Sequence, residues 1–60
     1  MLKVKDLKDG MKVVNEVGTE FEVVGKKGRK YVMLKRLNDG RVWYYDNYAL
    51  EGEEVKVIEG

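Results

Sequence analysis

Apolar residues recur at every second position in several short stretches and nowhere at the three-and-four spacing of a long helix. Leu2 and Val4 alternate with Lys3 and Lys5, which predicts a half-buried strand at the N-terminus. Met11-Lys12-Val13-Val14 predicts a second extended piece. Glu20-Phe21-Glu22-Val23 predicts a third, with Phe21 and Val23 inward and both glutamates outward. Between the first two, Asp6-Leu7-Lys8-Asp9-Gly10 reads as a structured turn: Asp6 can accept from the amides ahead of it, and Gly10 can take positive φ. Asn15-Glu16-Val17-Gly18 marks another turn, and Gly25-Lys26-Lys27-Gly28 a solvated loop. Val55–Glu59 is the last strand, placed beside Leu2–Val4, where it closes the sheet.

The stretch from Lys30 to Tyr48 reads as a β-hairpin: an apolar run, an Asn38-Asp39-Gly40 turn, then the most aromatic segment of the chain. The turn can be a two-residue Asp39-Gly40 loop or a three-residue loop with Gly40 in the left-handed region. The second is preferred. It sets Leu37 opposite Arg41, Lys35 opposite Trp43 and Leu34 opposite Tyr44. Val32, Leu34, Val42 and Tyr44 then share the core face, and Tyr31, Met33, Lys35, Leu37, Arg41, Trp43 and Tyr45 share the other. Asp46–Leu50 reads as a short turn or 3₁₀ segment anchored by Leu50, and Glu51-Gly52-Glu53-Glu54 as an exposed acidic loop.

Short strands at this spacing, with glycine-containing turns, predict an all-β barrel or sandwich, and in 60 residues a barrel of five to six strands. Closure would remove exposed sheet edges. The layout of strand, Asp-Leu-x-x-Gly-Met turn, strand, long loop, three-strand meander, one-turn 3₁₀ helix and final strand resembles the SH3-like small-barrel superfamily, including its KOW, Tudor and bacterial or phage members. Asp6–Val13 is similar to the opening of many small bacterial and phage barrels. Asn47-Tyr48-Ala49 is similar to the Asn-Tyr-Val step of signalling SH3 domains. The Ala-Leu-Tyr-Asp-Tyr stretch, the tandem tryptophans and the proline before Asn-Tyr are missing, as is a complete KOW motif, which argues against binding of Pro-rich peptides.

Composition narrows the function further. The length points to one domain over residues 1–60, close to the lower size limit for a chain that folds alone. Cysteine, histidine and serine are absent, which removes disulfides, the usual zinc ligands, the common nucleophiles and the neutral-pH base. A non-enzymatic module without metal or cofactor is the expectation. Proline and glutamine are also missing while lysine and glutamate abound, a bias shared by heat-stable and computationally designed sequences. No apolar run suggests a signal peptide or membrane span, so a cytoplasmic monomer is expected.

The net charge of +1 hides an uneven distribution: residues 26–41 carry seven cations against Asp39 alone, a net of +6. Nucleic-acid binding on a sheet needs cations for phosphates and flat rings for bases. Lys26, Lys27, Arg29 and Lys30 on the loop, with Lys35 and Arg41 flanking Trp43 and Tyr45, supply both, so DNA or RNA is the first candidate partner. A peptide shelf of Trp43, Tyr45, Asn47 and Tyr48, serving protein interaction, is the alternative. A third reading has no ligand site at all: the rings complete the core of a stable scaffold and the cations keep it soluble.

Overall fold

In the computed structural model, which describes residues 2–60, the alternating stretches become five antiparallel strands. They are β1 (Lys12–Val14), β2 (Glu20–Lys27), β3 (Tyr31–Arg36), β4 (Val42–Tyr45) and β5 (Lys56–Glu59). One sheet holds them in the order β4-β3-β2-β1-β5. Residues directly opposite across a ladder point to the same face. The pairings Val13 with Phe21, Val23 with Leu34, and Val32 with Tyr45 therefore gather six buried side chains on one side.

The longest strand, β2, runs through the expected Gly25–Gly28 loop as far as Lys27. It does so by inserting one residue: the register with β3 moves from Val23 opposite Leu34 to Gly25 opposite Met33, leaving Val24 as the extra residue of a bulge. Gly25 sits at φ +145°, and a Cβ placed there would lie 2.7 Å from Met33 Cε. Beyond the bulge the parity is reset, so Lys27, opposite Tyr31, joins the outer face and Lys26, opposite Val32, does not.

The expected N-terminal strand does not form. Val4–Asp6 is instead a 3₁₀ turn, with the Asp6 N–H bonded to the Lys3 carbonyl at 2.9 Å and the Leu7 N–H to the Val4 carbonyl at 3.2 Å. Side chains fix it at both levels. Asp6 Oδ2 accepts the Lys3 N–H at 3.0 Å, and Asn47 Oδ1 accepts the Val4 N–H at 2.7 Å across 43 residues of chain. One 3₁₀ turn separates Val4 from Leu7, so both point inward and both are buried.

That turn decides the architecture. With no strand over Leu2–Val4, β5 pairs only with β1 among the described residues, which leave its outer edge unpaired. The SH3-like barrel expected from the layout is not formed: β4 and β5 lie at opposite ends of the sheet order with no ladder between them, and the sheet is open. Its apolar face is covered by other pieces. Val4 and Leu7 from the N-terminal turn, Leu50 and Val55 join the strand residues in a single core. The segment before the last strand is an α-helix, α1 (Asn47–Gly52), and not the expected 3₁₀ turn. Asp46 caps it, its Oδ1 accepting the Ala49 N–H at 2.8 Å.

Candidate interaction face

The hairpin loop sets which side of β4 looks where. The closing pair is Arg36 with Arg41: the Arg36 N–H donates to the Arg41 carbonyl at 2.7 Å, and the Gly40 N–H donates to the Arg36 carbonyl at 2.7 Å. Four residues, Leu37 to Gly40, form the loop, one more than expected. Leu37 is drawn out of the β3–β4 ladder because its N–H donates to the Glu20 carbonyl of β2 at 3.0 Å. Asp39 stitches the loop shut, accepting from Arg36 Nε at 3.0 Å and Nη2 at 2.6 Å, and from the Arg41 N–H at 3.1 Å. Those bonds, the Arg36 side chain's first, hold the Asp39 carboxyl at a pKa of about 2, and the same pairing raises that of Arg36.

One added loop residue reverses the parity of the whole strand. Leu34 faces Trp43, Met33 faces Tyr44 and Lys35 faces Val42, so Trp43 and Tyr45 lie on the core side while Val42 and Tyr44 lie on the outer side. This corrects the assignment of Val42 and Tyr44 to the core. Tyr45 is buried, edge-on to Phe21 with ring centroids 5.8 Å apart, and its O–H donates to Glu53 Oε1 at 2.8 Å. Burial first, then the Glu53 carboxylate, push its phenol far above the usual range. Trp43, opposite the buried Leu34, is nonetheless 43% exposed, with the Arg36 guanidinium over its ring at 5.4 Å.

A different cluster occupies the outer face. Tyr31 and Met33 from β3 lie beside Val42 and Tyr44 from β4, which are 47% and 53% exposed. The rings of Tyr31 and Tyr44 sit 6.2 Å apart, tilted by 40°. Lys27 Nζ stands over the Tyr44 ring at 5.3 Å, and Lys30 Nζ over Tyr31 at 5.5 Å. Next to this cluster the register lays a row of alternating sign across four strands: Glu59, Lys12, Glu22 and Lys35. Lys12 and Glu59 approach to 3.6 Å.

Of the residues first considered for nucleic acid, Lys27, Lys30 and Lys35 share this outer region. Lys26 has the opposite parity, Arg29 lies in the β2–β3 turn, and Arg41 leaves the hairpin loop with its Nε 3.8 Å from Asp39. Trp43 and Tyr45 are on the other side of the sheet. The peptide shelf is not assembled either: Asn47 is engaged with the Val4 N–H, and Tyr48 projects from α1 beside Leu2, Lys3 and Glu51. Tyr44 and Val42 were missed as site residues, and the signal for them was Asp39 flanked by Arg36 and Arg41, an ion-paired loop longer than a tight turn. The acidic loop is partly structural, since Glu53 also accepts from Asn15 Nδ2 at 3.4 Å and its carbonyl accepts the Glu16 N–H at 2.9 Å.

No family model, curated protein or solved structure matches this chain. The site must speak through its chemistry. Among the described residues no group of three or more metal-ligating side chains gathers. A hollow of about 790 Å³ is an open groove of Leu50, Val55 and Val57 rimmed by Asp6, Glu51 and Glu54, and it includes none of the hairpin rings. What the outer face of β3–β4 offers is a shallow apolar and aromatic surface with cations at its border.

Proposed function

We propose that the chain is a non-enzymatic protein-interaction module whose contact surface is the outer face of the β3–β4 hairpin. The observation that carries this reading is the cluster of Tyr31, Met33, Val42 and Tyr44 on the side of the sheet away from the core, with Val42 and Tyr44 exposed. A contiguous apolar patch left in water and fringed by charge is the mark of a contact surface. Tyrosine suits that role, giving a large rigid contact area at low entropic cost.

Nucleic acid fits the same face less well. Base stacking needs a free ring face, and here ammonium groups already stand over Tyr31 and Tyr44. The two rings are also tilted against each other, so they do not present a common platform. A photo-cross-linking side chain at position 44, with position 48 on α1 as the control, tests the assignment. Protein adducts specific to position 44 that survive nuclease and raised salt are expected. Adducts lost to nuclease and salt would return the face to nucleic acid, and equal labelling from both positions would remove it as a specific site.

A further inference from the structure

We infer that the partner binds as an added β-strand along the free edge of β4, and that the segment it contributes is extended and acidic; this rests on the protein-interaction reading above. In an antiparallel ladder, opposite residues alternate between pairs that exchange hydrogen bonds and pairs that do not. The bond from the Arg36 N–H to the Arg41 carbonyl marks that pair as the bonded kind. Two residues on, Leu34 with Trp43 and then Val32 with Tyr45 are bonded too. Lys35 with Val42 and Met33 with Tyr44 are therefore the non-bonded pairs. The N–H and C=O groups of Val42 and Tyr44 point outward, away from β3.

Among the described residues β4 ends the sheet, and no turn or side chain bonds to these groups. The two edges differ in their protection. The β5 edge carries Lys56 and Glu59 and lies beside a register shift, both of which discourage pairing. Val42-Trp43-Tyr44-Tyr45 has no charge, no proline and no bulge, and three of its four side chains are exposed. An incoming strand would bond to Val42 and Tyr44, laying one set of side chains against the outer cluster and the other beside Trp43.

Charge names the chemistry of that strand. Lys27 and Lys35 stand on the outer side, Arg36 on the Trp43 side and Arg41 at the loop end. Of the acids nearby, Asp39 is already held by Arg36 and Arg41, Glu22 lies opposite Lys35, Asp46 caps α1 and Glu53 accepts from the Tyr45 O–H. A second copy of β4 would set these cations against their own counterparts, so an acidic segment with alternating apolar residues is the complementary occupant.

The test uses a short fluorescent peptide of alternating glutamate and valine, with its lysine–valine counterpart as control. Binding of the acidic peptide should slow hydrogen exchange at the Val42 and Tyr44 amides in the unsubstituted protein, a readout that needs no variant. Val42→Pro removes one outward donor, leaves the β3 ladder intact and places ring carbons where the partner's carbonyl must come. It should weaken binding about tenfold, the loss of a hydrogen bond or two, and Val42→Thr, which changes the side chain but keeps the amide, should lose clearly less. If Val42→Pro binds unchanged but Tyr44→Ser does not, strand addition is wrong and the face reading stands. Indifference to both variants removes both. No binding of the acidic peptide, equal binding of the basic one, displacement by oligothymidylate, or a dimer with both amides protected in the absence of peptide would each overturn the inference.

Discussion

The parity of β4 can be tested by comparing two neighbouring tyrosines. Tyr45→Ala removes a ring that is 8% exposed, packed edge-on to Phe21 and bonded to Glu53. Truncation of a buried aromatic costs about 3–5 kcal/mol, and the lost bond to the half-buried carboxylate adds about 1 kcal/mol. At roughly 0.05–0.15 kcal/mol per residue, a chain of this length holds about 3–9 kcal/mol in total, so the variant is at or near the edge of unfolding. Tyr45→Phe keeps the ring and loses only the hydroxyl. It should cost about 1–2 kcal/mol, each kcal/mol lowering Tm by about 4–8 °C. Tyr44→Ala removes a half-wet ring whose neighbours are Tyr31 and Lys27, and should cost about 1 kcal/mol. Thermal and urea unfolding followed by far-UV circular dichroism read all three. If Tyr44→Ala destabilises as much as Tyr45→Ala, β4 lies in the other register and the outer cluster does not exist.

Three further outcomes follow from the same structure. Because the Tyr45 phenol is raised well above its ordinary value of 10.0, the folded state keeps a proton that the unfolded chain releases. Its stabilisation is complete below pH 10 and declines above it, and tyrosinate absorbance should gain one further phenol only when the protein unfolds. Asp39 runs the other way, with a folded pKa of about 2 against an ordinary 3.8. Its contribution is present above that ordinary value and is lost as pH falls toward 2, and NMR titration of Arg36→Gln should show the Asp39 carboxyl moving back up. Gly25→Ala should cost about 1–3 kcal/mol in urea unfolding. Adding Met33→Ala should not restore it, because the strain lies in the backbone at φ +145° and the clashing Met33 methyl can already swing aside.

Much of the fold was legible in the sequence because most strands carry their own polarity. Glu-Phe-Glu-Val can face only one way, and the buried positions Phe21 and Val23 follow from that pattern, as Val32 and Leu34 follow from the hairpin reading. The turn at Asn38–Gly40 and the inward Leu7 and Leu50 were equally local. The candidate site was legible only in part. Its lysines stood out by charge density, whereas Val-Trp-Tyr-Tyr is apolar at every position and says nothing about which face it buries.

Tertiary contacts decided the rest. The parity of β4 depends on a four-residue loop, which depends on the Leu37 amide finding Glu20 on another strand and on Asp39 drawing Arg36 and Arg41 together. Leu2 and Val4 satisfy a strand by their spacing of two, while Val4 and Leu7 satisfy a 3₁₀ turn by their spacing of three. Asn47, 43 residues away, settles the choice by accepting the Val4 amide. Glu53 looked like solvated surface until Tyr45 and Asn15 were brought to it. By itself the sequence determined that there would be strands, a core and a basic middle. Only long-range hydrogen bonds determined that the sheet stays open and that the tyrosines of its last hairpin divide between core and solvent, because a one-residue change in a loop costs little locally and reverses every side chain beyond it.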